Sequence, residues 1–193
     1  MKDANWLEPW LDEISVLADS DPVLELGCGQ GRDTATLTAR EIDVVSVDLD
    51  LAALAICGEI DRCLPLRTDI ARMLPFRDNT FAFVLASLSL HYFAWQETTA
   101  IIGEICRVLT PGGVLLVRVN STGDVNYGAG RGEEIEPRYS LIDGQKKRFF
   151  SKGDVESVLD GMQVDVLRHE SIDRYTREKR VWLARAVNVC EVE

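Results

Sequence analysis

A doubly wound α/β fold is the architecture this sequence predicts, and three observations carry it. Short apolar runs alternate with helix-periodic segments between residues 23 and 119. A glycine-rich turn, Gly27-Cys28-Gly29-Gln30-Gly31, joins the first apolar run to the first helical segment of that series. Two further apolar runs, separated by a polar connector, close the chain. The expectation is a mostly parallel, seven-stranded sheet with helices on both faces and an antiparallel C-terminal hairpin at its edge.

Leu7, Leu11, Ile14 and Leu17 recur at helical spacing, and Asn5 with Glu8 three residues later suits the start of that helix. Pro22 leads into a strand over 23–26, then the glycine turn and a helix over 32–40. The run 42–47 is a second buried strand ending at Asp48, and Asp50 caps a helix reaching about residue 61. A weaker third strand covers 63–67. Pro65 and Pro75 bracket the turn that holds Asp69, and the aromatic and β-branched run 80–86 is the fourth strand. Ile101, Ile102, Ile105, Val108 and Leu109 share one face of a helix over 96–109; Pro111-Gly112-Gly113 ends it before a fifth strand over 114–119. Periodicity then fades until about Phe149. Residues 121–148 are expected as a glycine-punctuated mobile flap, anchored by Asn126, Tyr127 and Tyr139, on the side of the sheet where ligands bind. Ser151 with Asp154 opens one more helix, and strands over 163–167 and 180–189 make the hairpin. Residues 1–193 thus read as a single domain, divided into an N-terminal helix (1–20), a core (21–120), a substrate-side loop (121–150) and a C-terminal helix with its hairpin (151–193).

Composition narrows the function. A hydrophobic fraction of 46% with 27% charged residues is ordinary for a globular chain, and no apolar run approaches the ~20 residues that span a bilayer. The segment from Met1 to Trp6 carries an acid early and has no apolar core of signal-peptide type, which leads to a cytoplasmic expectation. The five cysteines, Cys28, Cys57, Cys63, Cys106 and Cys190, are widely spaced with no CxxC pair, and with only two histidines no metal site is expected. A net charge of −11 opposes the approach of a phosphate backbone, so a small molecule is expected as partner rather than nucleic acid or membrane.

The glycine turn offers two cofactor readings. A dinucleotide fingerprint places its third glycine where this chain has Arg32; here the third glycine is Gly31. The segment Glu25-Leu26-Gly27-Cys28-Gly29-Gln30-Gly31 instead resembles the first motif of class I S-adenosylmethionine-dependent methyltransferases, acidic-x-Gly-x-Gly-x-Gly. Asp48 at the tip of the second strand, Asp69-Ile70, the approach Leu74-Pro75-Phe76-Arg77-Asp78-Asn79-Thr80-Phe81 and the turn Glu104 to Gly113 match the later elements of that family over roughly residues 20–120. The segments Ser87 to Tyr92 and Phe149-Phe150-Ser151 look most like its small-molecule members, including the tellurite-resistance-type branch. Two departures stand out: Ala82 occupies a position where the fourth strand often begins with an acid, and Ala86-Ser87-Leu88-Ser89 replaces the signature of base-methylating enzymes.

The resemblance implies S-adenosylmethionine as cofactor, held by Glu25, Gly27, Cys28, Gly29, Gly31, Asp48, Leu49, Asp69, Ile70 and Ser87. Within that set Asp48 would bind the ribose hydroxyls, and Asp69 with the Ile70 backbone the adenine. The acceptor side draws on His91, Tyr92, Asn120, Tyr127 and Tyr139. Bland alternatives stay open beside these roles. Asp48 reads also as a strand-end cap, Asp69 as a helix cap, Cys28 as a spacer, and His91 as a packed neighbour of Tyr92 and Phe93. Trp6 and Trp10 dock the first helix or cover the ligand; His169 falls in the hairpin connector as a solvated residue; Lys146-Lys147-Arg148 and Arg174 to Arg180 form solvated edges or meet an acidic substrate. A non-catalytic cofactor-binding module and a dinucleotide-dependent oxidoreductase are the competing functions.

Overall fold

The computed structural model describes residues 5–19, 21–173 and 175–189. Residues 1–4, Arg174 and Cys190, all named above, lie outside the described residues.

The main sheet contains β1 (Val23–Leu26), β2 (Val44–Asp48), β3 (Cys63–Arg67), β4 (Phe81–Ser87) and β5 (Leu109–Asn120), all parallel. A separate small sheet follows, made of β6 (Glu133–Glu136), β7 (Tyr139–Ile142) and β8 (Gln145–Arg148). The chain then returns through β9 (Met162–Ile172) and β10 (Lys179–Asn188), which add to the main sheet in antiparallel fashion. The order β3-β2-β1-β4-β5-β10-β9 reverses its winding between β1 and β4, where a crevice opens at the strand ends.

Helices α1 (Leu11–Leu17), α2 (Arg32–Thr38), α3 (Leu51–Cys57), α4 (Trp95–Val108) and α5 (Lys152–Val158) cover the sheet. Successive strand residues face opposite sides, so each strand feeds two cores. Leu24, Leu26, Val84 and Ala86 pack with Ile101, Ile105 and Val155 from α4 and α5. Val23, Val44, Phe83 and Leu85 pack with Leu11, Ile14 and Leu37 from α1 and α2. Burial on both faces explains why all four residues of β1 are apolar or fully enclosed.

Local differences from the sequence expectation have physical causes. Pro9 sits in a 3-10 turn, Glu8–Trp10, ahead of α1. Asn5 does accept the Leu7 N–H at 3.2 Å, but Glu8 pairs with Arg40 at 3.0 Å instead of closing a capping box. Helix α3 stops at Cys57, before residue 61, because the chain turns at Gly58 and Ile60 N–H folds back onto the Cys57 carbonyl. Pro111, Gly112 and Gly113 lie inside β5 as an irregularity: its pairing with β4 shifts between Phe81 and Phe83.

The largest correction concerns residues 121–150, expected as a loop. Most of this stretch is the antiparallel sheet β6-β7-β8. Its apolar side is sparse, with only Ala129, Ile142 and Phe149 forming a small cluster, while β6 and β8 are rows of Glu and of Lys and Arg. Apolar alternation is therefore nearly absent. The legible signal was Asp143-Gly144, both at positive φ (50° and 78°), a tight hairpin turn joining β7 to β8. His169 is the second correction: it lies within β9, its Nε2 2.7 Å from Ser121 Oγ and its ring 4.7 Å from Trp182. No helix among the described residues is long and apolar enough to cross a membrane.

Candidate active site

The glycine turn is fastened to β2, with the Gly27 and Cys28 N–H groups both donating to the Val47 carbonyl at 2.8 and 3.1 Å. Gly27 has φ +76°, and a Cβ there would lie 2.5 Å from Ser89 Cβ, so no other residue fits. Gly29, at φ +51°, faces nothing within 4 Å; it borders open space. Gly31 behaves differently from the expectation. A Cβ on it would meet Ile60 and Cys57, so this glycine seats α2 against the α3 side and does not line the crevices described below.

Asp48 closes the turn from the other side. Its Oδ2 accepts the Gly29 N–H at 2.9 Å, and its Oδ1 accepts the Asp50 N–H at 3.0 Å. With Leu49, Ile70 and Ser89 it lines a crevice of ≈ 520 Å³. Asp69 stands next to this crevice without lining it, its Oδ1 accepting the Ala71 N–H at 3.0 Å. Glu25 lies beneath the turn, almost fully buried, where its carboxyl accepts hydrogen bonds from Ser46 at 3.0 Å and from Thr34. Burial pushes its pKa up to about 7, against those two hydrogen bonds. Burial also raises the Cys28 thiol, which lies beside Cys57, so it remains protonated.

A second crevice, of ≈ 450 Å³, shares Gly27, Gly29, Leu88 and Tyr92 with the first. His91, Asn120 and Tyr127 border it, three of the residues expected on the acceptor side, together with Glu25, Cys28 and Ser87, which the resemblance assigned to the cofactor. Lys147, Tyr175 and Lys179 join them from the two basic segments read as solvated edges or contacts for an acidic substrate. His91 is buried with an unpartnered Nδ1; burial first, then the charges of Lys179 and Lys147, bring its pKa down to about 3. It is a neutral imidazole with a ring 4.1 Å from Tyr92. The Oδ1 of Asn120, a residue 1% exposed, is also without a partner. Lys179 pairs with Asp124 at 2.9 Å and stands 4.8 Å from the centre of the Tyr127 ring.

Tyr139 is a further correction. It does not line the crevice; its hydroxyl donates to the Tyr92 carbonyl at 2.8 Å and so fastens β7 to the 3-10 turn at residues 90–92. Sequence reasoning also missed Arg118. This guanidinium is 2% exposed, donates to Ser87 Oγ at 2.7 and 3.1 Å, lies 3.9 Å from Asp33 and stacks 3.6 Å over the Trp6 ring. Trp6 in turn donates to Asp33 at 2.8 Å. Its signal was a lone charge within the apolar run 114–119. Trp6 is thereby docked on the domain.

The residues present suit an adenosyl cofactor. Gly29 leaves open space where a larger residue would intrude, and the buried Ser89 hydroxyl, which lines the same crevice next to Gly27, has no partner.

Comparison with known proteins agrees with this geometry. Residues 24–117 match the family described as a methyltransferase domain. A demethylmenaquinone methyltransferase of Streptomyces avermitilis is 30% identical over 111 residues, covering 56% of this chain and 47% of that protein. The chain thus spans about half the length of that curated relative. Among solved structures, a SAM-dependent methyltransferase of Methanosarcina mazei superposes with a TM-score of 0.79 at 17% identity, covering 99% of this chain and 100% of its own. The 1,6-didemethyltoxoflavin-N1-methyltransferase of Burkholderia thailandensis, solved with its substrate and S-adenosylhomocysteine, gives 0.69 at 17% identity over 96% of this chain and 79% of its own. The motif order, the sheet order and the family match agree: residues 24–117 match a methyltransferase domain, and the chain has the fold of S-adenosylmethionine-dependent methyltransferases.

Proposed function

We propose that this protein moves a methyl group from S-adenosylmethionine to a small-molecule acceptor by in-line displacement. The observation that carries the reading is the meeting of two crevices at Gly27, Gly29, Leu88 and Tyr92, one suited to an adenosyl group and the other to an acceptor. The cofactor supplies a methyl group already activated on a sulfonium, so alignment and exclusion of water are what the chain must provide. In this reading Asp48 receives the ribose hydroxyls, Ile70 and Leu49 flank the base, and Asp69 reaches the adenine amino group from the crevice edge. The glycine turn brings backbone close to the cofactor's amino-acid end, with Ser87 and Cys28 beside it. A crevice of ≈ 450 Å³ is of small-molecule size, and the names of the relatives above refer to small acceptors. Cys28, Cys57 and Cys63 being thiols, not disulfides, supports a reducing, cytoplasmic setting.

Calorimetric titration with adenosylhomocysteine tests the cofactor half. Asp48→Ala is expected to weaken binding by about 1.5–3 kcal/mol, one to two decades in Kd. Transfer of labelled methyl to a panel of small acceptors tests the rest. Normal binding with no transfer to any acceptor would favour a non-catalytic cofactor-binding module, and displacement by NAD a dinucleotide enzyme.

A further inference from the structure

The acceptor crevice has a chemical character that narrows what enters it. The chain carries a net charge of −11, yet two ammonium groups, Lys147 from β8 and Lys179 from the start of β10, border this one cavity. Lys179 is buried, held by Asp124 and placed between the rings of Tyr127 at 4.8 Å and Tyr175 at 5.9 Å. Lys147 is half-buried and makes no ion pair among the described residues. The charges acting on His91 are those of these two lysines. The carboxylates bordering the cavity lie on the glycine-turn side and are engaged: Asp33 by Trp6 and Arg118, Glu25 by Thr34 and Ser46. Two enclosed polar atoms of residues lining the cavity are without partners, His91 Nδ1 and Asn120 Oδ1. An unpartnered buried acceptor carries a desolvation penalty that a ligand's N–H or O–H removes.

We propose that the methyl acceptor is a small aromatic anion: its carboxylate is held by Lys147 and Lys179, its ring lies among Tyr92, Tyr127 and Tyr175, and its ring hydroxyl or amine points to His91 and Asn120. This rests on the methyl-transfer reading above. Tyrosine rings give planar area and lysines give a counter-charge, whereas a long apolar tail would find few apolar walls here. The group aimed at His91 and Asn120 is the nucleophile. Its oxygen or nitrogen forms the new bond to the methyl carbon as the sulfur–carbon bond breaks, and the electron pair stays on sulfur. The nucleophile's own proton is released to solvent as the neutral methylated group forms, with His91 and Asn120 orienting that group.

Matched probes that differ only in charge test this: salicylate against salicylamide, and anthranilate against anthranilamide. Each is titrated by calorimetry into protein saturated with adenosylhomocysteine. The carboxylates are expected to bind roughly tenfold more tightly than the amides, an advantage that shrinks with added salt. Lys147→Gln, a half-buried side chain without an ion pair, should abolish most of that advantage and raise KM for a carboxylate acceptor while leaving kcat within about twofold. Lys146→Gln, its exposed neighbour outside the cavity, should leave the preference intact. Equal binding of acid and amide, no binding of either, or a preference unaffected by Lys147→Gln overturns the proposal while the methyltransferase reading stands. Failure of adenosylhomocysteine itself to bind overturns both.

Discussion

The two crevices are built on different principles. On the proposed cofactor side the wall is organised by a backbone turn fastened by hydrogen bonds to one neighbouring strand: the glycine turn on the Val47 carbonyl, and Gly29 on the Asp48 carboxylate. On the acceptor side the walls are side chains from 3-10 turns, β8 and β10, elements far apart in sequence, and they include buried atoms left without partners. A backbone site tolerates few changes and recognises a constant ligand. A side-chain site changes its ligand one substitution at a time.

The comparison breaks most sharply at Gly27. Gly27→Ala forces a Cβ to 2.5 Å from Ser89 at φ +76°, and we expect a loss of roughly 4 kcal/mol in urea denaturation together with loss of adenosylhomocysteine binding. Gly29→Ala, with open space around it, should keep stability within about 1 kcal/mol while still reducing cofactor affinity. Arg118→Met removes the buried guanidinium from Ser87 and Trp6 and should cost about 3 kcal/mol of stability. An effect of similar size depends on pH. Because burial raises the Glu25 carboxyl to about 7 from 4.5, the folded state holds a proton that the unfolded state has released between those values. Stability from this group is full below pH 4.5 and is lost as pH rises through 7, to a total of about 3 kcal/mol. Glu25→Gln should flatten that fall in Tm between pH 5 and pH 8. If the two proteins lose Tm in parallel, the carboxyl is ionised in the fold. The smallest change is Tyr139→Phe, which deletes only the hydrogen bond to the Tyr92 carbonyl: about 1 kcal/mol by denaturation, with acceptor KM unchanged. A raised KM without loss of stability would return Tyr139 to the acceptor site.

The same contrast decided what could be read from sequence. Strands β1, β2, β4 and the body of β5 are apolar runs with both faces covered, so hydrophobicity alone outlines them, whereas β3 at the sheet edge is partly exposed and reads more weakly. Asp48 was legible because one strand length separates it from the helix that follows the glycine turn, and the sheet returns it to that turn. Lys147 and the segment around Tyr175 and Lys179 were legible only as two separate basic groups, solvated or facing an acidic substrate, since nothing in their local spacing records that β8 and the start of β10 arrive at the same cavity. The sheet β6-β7-β8 was not legible, because backbone pairing and the Arg148–Glu136 ion pair hold it more than apolar alternation does. Arg118 stood in plain view as a charge in an apolar strand, but its partners, Ser87 and Trp6, come from β4 and from ahead of α1.

The turn at residues 90–93 has a consequence for how the two ligands affect each other. Tyr92 borders both crevices; its carbonyl receives the Tyr139 hydroxyl, and the next carbonyl, of Phe93, receives Arg148 at 3.2 Å. Arg148 is itself paired with Glu136, which also accepts the Trp95 N–H at the start of α4. The small sheet thus clamps a segment that borders both crevices. Any ligand that shifts this segment is felt on its other side, and the free energy of that coupling is the same whichever ligand binds first. Residues of β7 and β8 that border neither crevice thus hold, through Tyr139 and Arg148, the segment on which both crevices lean.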